Sequence, residues 1–249
     1  MSRHFASHCA VNVGRRKPSA FTLIEMLLVV AIISLLISIL LPNLKRSSGQ
    51  AKRTQCEANI RMLLIGYQEY AKTNGRKLMG ANTSNPHDWL QAGNAETSIT
   101  GGKLWNFVRS KDSYKCPDHV YPWYLNSYAI NGMLNGEQVW DGFTSKIHWT
   151  SNIVDAKQLV FVEEDDNRGW NMNSWMLGGT NSFIDLPANN HANADNFGFL
   201  DGHVELFAWT DADMQKRPKH NPTPTFGFND PGNSDWARLP PIFRTWPTP

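Results

Sequence analysis

The chain opens its hydrophobic pattern with an apolar run, Leu23 to Leu41, interrupted only by Glu25, Ser34 and Ser38 and closed by Pro42. Its 19 residues, at about 1.5 Å per helical residue, match the roughly 30 Å hydrocarbon core of a bilayer. Beyond Pro42 the pattern changes from continuous to periodic. Ile60, Leu63, Leu64, Tyr67, Tyr70 and Ala71 recur at intervals of three and four, which predicts one apolar stripe on a helix. Lys72-Thr73-Asn74-Gly75 supplies the C-terminal stop. Residues 75–157 alternate short apolar pieces with Gly, Asn, Ser and Pro, and read as loop with a short helix near 102–110. Gln158-Leu-Val-Phe-Val-Glu163 is short, β-branched and aromatic, the composition of a buried strand. Phe197 to Leu200 and His203 to Phe207 flank Asp201-Gly202 and predict a hairpin with a two-residue type I′ turn. From Met214 onward the chain is rich in proline, and no regular structure is expected there.

The single carboxylate in the apolar run sharpens this picture. A charged side chain there costs on the order of 2.5–3.5 kcal/mol on insertion scales, so Glu25 is expected to have a function. The segment Phe21-Thr-Leu-Ile-Glu25, preceded by Arg15, Arg16 and Lys17 and followed by the apolar run and Pro42, resembles the N-terminus of type IV prepilins and type II secretion pseudopilins. The resemblance implies a leader, residues 1–20, cut between Ala20 and Phe21 by a prepilin peptidase that also methylates the new Phe21 amine. It implies that Glu25 serves assembly, by neutralising the Phe21 amine of a neighbouring subunit in a bundle of N-terminal helices. Ala20 stands where the family usually has Gly, which implies slower cleavage or a tolerant peptidase. An ordinary secretory signal, with its apolar core of about 7–15 residues, is shorter than this run. Basic residues flank the span on both sides, so the orientation, leader in the cytoplasm and the remainder outside, rests on the resemblance.

The fold class this implies is α+β: a long N-terminal helix, first transmembrane and then amphipathic, packed on a small antiparallel β-sheet. The expected divisions are a leader (1–20), the membrane half of the helix (21–41), its exposed half (42–73), a periplasmic globular domain (74–213) and a proline-rich tail (214–249). The chain would be a single-pass protein of the bacterial inner membrane with its C-terminal domain periplasmic or extracellular. Its implied partners are the prepilin peptidase, the inner membrane and other pilin-like subunits, met through the N-terminal helix.

Charge and cysteine content fit that placement. The formal net charge is +2, and removing residues 1–20 takes away four basic and no acidic residues, leaving 20 basic against 22 acidic and a net charge of −2. Nothing here is the strongly basic footprint of a nucleic-acid binder. Of the three cysteines, Cys9 leaves with the leader. Cys56 and Cys116 remain as a candidate disulfide in an oxidising compartment, closing a loop of roughly 60 residues, or as two free thiols. No Cys-x-x-Cys or His/Cys spacing argues for zinc, and no cofactor is implied.

Further resemblance lies downstream. His191, nine residues and then Asp201-Gly202 is similar to a signature near the C-terminus of bacterial pseudopilin-like proteins, and Cys56-Glu-Ala-Asn-Ile60 and Tyr114-Lys-Cys116-Pro-Asp118 continue the similarity. A hairpin accounts for Asp201 and Gly202 without chemistry, and His191 as a catalytic base would need a nucleophile that the sequence does not supply. The run Glu163-Glu164-Asp165-Asp166, with Asp185 and Asp195 elsewhere, raises calcium as a thought, but lacks the alternating order of an EF-hand loop and reads as a solvated acidic turn. Ten tryptophans could present stacking faces, Trp170 and Trp175 being the pair expected to be exposed. They support the alternative reading, a membrane-tethered extracytoplasmic module that binds carbohydrate or protein and does not polymerise. No Gly-x-Ser-x-Gly, His-Glu-x-x-His or phosphate loop is present, so the chain is not expected to be an enzyme.

Overall fold

The computed structural model describes residues 21–81, 88–91, 93, 95–119, 124–132, 134, 158–165, 173–175, 177–178, 182–183, 185–216, 228–229 and 232–239. The chain divides into two units, one ending at Arg46 and one beginning at Ser47. In the first, the helix α1 (Leu23–Thr73) begins with a capping box. The Thr22 hydroxyl accepts from Glu25 N–H at 3.4 Å, while Glu25 Oε2 accepts from the Thr22 N–H at 2.9 Å and from its hydroxyl at 2.7 Å. Every described residue from Phe21 to Arg46 is exposed. Pro42 lies inside the helix. It has no N–H to donate, and on the next residue the Asn43 side-chain amide donates to Ile39 O at 3.1 Å.

In the second unit α1 turns one face inward. Cys56, Asn59, Ile60, Leu63, Leu64, Gly66, Tyr67 and Tyr70 are buried, the stripe read from the periodicity. The helix ends where expected, with Gly75 and Arg76 both at φ 65° and Arg76 N–H donating to Ala71 O at 2.7 Å.

The remaining elements are the helix α2 (Glu96–Thr100), a 3-10 turn at Lys103–Asn106, a second at Lys111–Tyr114, the strands β1 (Tyr128–Asn131), β2 (Leu159–Glu163), β3 (Ser174–Trp175), β4 (Leu177–Gly178), β5 (Ser182–Phe183), β6 (Ala194–Phe199) and β7 (Val204–Ala208), the helix α3 (Ala212–Lys216), the strand β8 (Phe228–Asn229) and a final 3-10 turn at Trp236–Arg238. The main sheet has the order β3-β1-β2-β6-β7 and a second sheet the order β4-β5-β8. The architecture is α+β, but the main sheet is mixed, because β3 runs parallel to β1. Tyr128 to Ile130, read from the sequence as part of a loop, is a fully buried strand.

Among the described residues two apolar clusters form. One unites the buried face of α1 with Trp89, Tyr114, Tyr128, Ile130, Val160 and Phe161. The other gathers Ala129, Leu159, Val162, Trp175, Phe197, Phe199 and Trp209. Alternation along β1 and β6 assigns successive residues to opposite faces. A register shift between Leu159 and Phe161 interrupts it in β2, and Val160 and Phe161 both join the helix-side cluster. Gly198 is a point of close helix–sheet approach, for a Cβ there would lie 2.4 Å from Ile60 Cγ2 and 3.1 Å from Leu64 Cδ1.

The β6–β7 hairpin corrects the expected turn. Phe199 N–H donates to His203 O at 3.0 Å and Gly202 N–H to Phe199 O at 2.9 Å, leaving Leu200, Asp201 and Gly202 as a three-residue loop. Gly202 alone of these three has positive φ, +97°. A type I′ turn needs two such residues; this geometry is a type I turn closed by a glycine bulge. Leu200 is held out of a shorter turn because its N–H donates to Gln158 O at 2.8 Å, extending its contact with the β2 segment.

The C-terminal segment also departs from expectation. Met214 and Leu239 are buried in the second cluster, and β8 pairs with β5. The fully buried Asp235 accepts from Thr210 N–H at 2.7 Å, the Thr210 hydroxyl at 2.6 Å and Asp211 N–H at 2.7 Å. Proline content argued against regular structure but could not reveal this anchoring carboxylate.

Candidate functional site

Two places concentrate the chemistry, the N-terminal segment and a buried polar cluster around His191. In the first, Phe21 is 76% exposed and the residues through Leu41 are exposed without exception. α1 is long and apolar enough at its start to cross a membrane. Glu25 satisfies the helix's own first turn through Thr22, a capping role already legible in the spacing Thr22-x-x-Glu25 but overshadowed by the charge of Glu25 in an apolar run. Ala20 lies outside the described residues.

The second place is built by three segments converging on the end of β2. The stretch after residue 185 is laced to it, with Asp165 N–H donating to Leu186 O and Ala188 N–H to Glu163 O, both at 3.1 Å. The chain then turns sharply, with Asn189, Ala192 and Asn193 at φ 52°, 53° and 66°, and His191 N–H donates to Ala194 O at 3.1 Å. This turn sets the imidazole in the core. His191 Nε2 is 3.1 Å from Glu163 Oε1 and 3.4 Å from Cys116 Sγ. Its Nδ1 lies 3.3 Å from Asp118 Oδ2, close enough for an ion pair but not aligned as a hydrogen bond. The Asn196 amide donates to Glu163 Oε1 at 2.9 Å, and Asp118 pairs outward with Lys52 at 2.9 Å.

Cys56 and Cys116 form a disulfide, Cα to Cα 5.0 Å, joining α1 to the loop after the second 3-10 turn. Asn59, one turn along, holds the same loop by donating to Lys115 O at 2.9 Å, and the 3-10 turn before it by donating to Asp112 O at 3.2 Å. Burial pulls the His191 pKa down, but the hydrogen bond and charge of Glu163, with the charges of Asp195 and Asp118, outweigh it and the net shift is upward. Burial, reinforced by the Glu163 charge, raises the Asp195 carboxyl well above the usual carboxylate range, opposed by the Trp209 indole N–H donating at 2.6 Å.

The acidic run is therefore not a solvated turn. Glu163, Glu164 and Asp165 are 0%, 1% and 5% exposed, because the strand continues through Glu163 and the 185–188 segment covers the two residues beyond it; Asp166 lies outside the described residues. Trp175, expected to be exposed, is fully buried in the second cluster, and Trp170 lies outside the described residues. His191 and Asp201-Gly202, linked by spacing in the sequence, occupy different surroundings. His191 is in the core, whereas Asp201 is at the exposed hairpin tip, where its Oδ1 accepts from His203 N–H at 3.0 Å and meets the His203 ring nitrogen. No sequence signal marks Glu163 as a partner of His191, or Asn196 as a partner of Glu163, since 28 and 33 residues separate them along the chain.

With this geometry in view, the N-terminus defines a class: a chain with an exposed apolar helix, a capping Thr–Glu pair and a basic stretch before it. Residues 15–41 match the family described as the prokaryotic N-terminal methylation motif, and the chain carries that motif. No curated protein and no solved structure matches the chain.

Proposed function

We propose that the protein is a membrane-anchored pilin-like or pseudopilin-like structural subunit, cut between Ala20 and Phe21, N-methylated at Phe21, and assembled through its N-terminal helix into a type II secretion pseudopilus or type IV pilus-like filament. The observation that carries this reading is the methylation motif over residues 15–41, whose described part, from Phe21 to Leu41, has every side chain exposed. A single-pass inner-membrane anchor is consistent with both. The second unit stands on the periplasmic side, and the Cys56–Cys116 disulfide suits an oxidising compartment.

Before assembly Glu25 caps its own helix. In the filament the same carboxylate faces the methylated Phe21 amine of a neighbour, and pairing offsets the cost of placing either charge in an apolar bundle. The work of the chain is structural rather than enzymatic. Its partners are the prepilin peptidase and like subunits.

Mass spectrometry of the mature N-terminus tests this directly. The expected product begins with N-methyl-Phe21; an intact leader, or a terminus beyond Pro42, overturns the reading. Glu25→Ala is expected to keep membrane insertion and processing while reducing inter-subunit crosslinking through the helix. Unchanged crosslinking would leave a plain anchor.

A further inference from the structure

Among the described residues, one ligand atom from each of Cys56, Cys116, Glu163 and His191 lies within 4.8 Å of the other three, and all four residues are buried. They come from α1, the loop after the second 3-10 turn, the end of β2 and the turn before β6, so nothing in their sequence spacing announces them. We propose that, with the disulfide reduced, these four side chains form a zinc site, and that the disulfide and the metal are alternative closures of the same joint in the fold.

Two of the ligand–ligand distances already approach those of a coordination shell. Zinc binds thiolate sulfur at about 2.3 Å, imidazole nitrogen at about 2.0–2.1 Å and carboxylate oxygen at about 2.0–2.2 Å, so at a tetrahedral angle the nitrogen stands about 3.6 Å from a sulfur and about 3.4 Å from the oxygen. His191 Nε2 is 3.4 Å from Cys116 Sγ and 3.1 Å from Glu163 Oε1. Reduction frees the two sulfurs to separate to the edge of the same tetrahedron, about 3.8 Å.

The surroundings supply what a metal site needs. A zinc-bound histidine usually presents its other ring nitrogen to a carboxylate, and His191 Nδ1 faces Asp118 Oδ2 at 3.3 Å. Asn196 orients Glu163 by donating to Oε1 at 2.9 Å. The second oxygen of Glu163 is buried and has no hydrogen-bond partner among the described residues, an independent sign of a ligand atom still to be satisfied. Two thiolates and an imidazole are soft to borderline ligands, which select zinc over calcium or magnesium.

The chemistry balances with a dithiol reductant. Its two thiols exchange with the Cys56–Cys116 bond, the reductant leaving as its own disulfide and each cysteine taking one proton. Zinc then displaces those two protons, and any proton on His191 Nε2. The two states exclude one another because both use the same sulfurs.

Full-length protein in detergent, one sample oxidised and one reduced by a dithiol without oxygen, is dialysed against zinc and analysed for metal. The reduced chain is expected to retain about one zinc and the oxidised chain none. Cobalt in place of zinc is expected to give a thiolate charge-transfer band and the visible absorption of a tetrahedral ion. His191→Ala and Glu163→Gln are expected to weaken binding about tenfold or more, and Cys56→Ser with Cys116→Ser to abolish it. Equal zinc on oxidised and reduced protein, no thiolate band with cobalt in the reduced wild type, or unchanged affinity in the His191 and Glu163 variants overturns the proposal. The wild-type cobalt spectrum decides even where a variant fails to fold.

Discussion

The two units of this chain invert one another's use of polarity. Up to Arg46 the exposed surface is dominated by leucine, isoleucine and valine, whereas from Ser47 onward the interior holds Glu163, Asp195 and Asp235 at 0% exposure, with His191 beside the first two. The first unit is long and apolar enough to cross a membrane, and in hydrocarbon exposed apolar groups carry no penalty while a helix satisfies its backbone internally. In the second unit water is the medium, apolar groups are withdrawn, and each of these three buried carboxylates is held by specific donors or an imidazole. The same residue type therefore carries opposite energetic meaning on either side of residue 46.

Three sets of substitutions sharpen that contrast, in descending size. Phe161→Ala removes a fully buried ring that meets Tyr67 and Trp89 edge-on at 6.0 and 5.3 Å. It is expected to destabilise the second unit by about 3–5 kcal/mol, read from denaturant melts of the full chain in detergent. Truncating an exposed apolar residue of the first unit, Ile32→Ala, should leave that melt unmoved; a matching loss would mean that the two units do not differ as described.

Ile32→Arg changes the medium-facing side instead. Placed mid-span, it is expected to cost insertion about 2.5–3.5 kcal/mol and to lower the membrane-associated fraction without affecting the melt. Full membrane retention would contradict a hydrocarbon environment for that face.

The smallest effect concerns the exposed hairpin tip. Gly202→Val forces a β-branched residue to φ +97° and should destabilise the second unit by more than about 1 kcal/mol. Asp201→Asn keeps an oxygen for the His203 N–H and should stay within about 0.5 kcal/mol of wild type. Loss of a binding or processing activity in Asp201→Asn at an unchanged melting midpoint would give this tip a chemical role.

Much of the fold is legible in the chain itself. The apolar run, the three-and-four stripe of Ile60 to Tyr70, the β2 strand and the β6–β7 pairing are local patterns, and local patterns survive because each face meets a single environment along its length. Legibility fails where contacts are distant. Tyr128–Asn131 is too short to show a period, and its neighbours β2 and β3 lie far along the chain. The acidic run reads as solvated because carboxylates usually are, and it is β1 and the 185–188 segment, both remote in sequence, that pair with it. Trp175 reads as exposed from its polar neighbours and is instead part of a core assembled from β1, β2 and β6.

The sequence by itself determined the apolar span, the methylation motif with Phe21 and Glu25, and the existence of a buried helix face, because each rests on residues within a few turns of one another. Only the tertiary structure decided that Cys56, Cys116, Glu163 and His191 share one buried site, that Gly198 admits the helix and that the proline-rich end is bound through Asp235. Those outcomes depend on which distant segments close over one another, and the chain's linear spacing carries no distance between them until the sheet and its covering loops are in place.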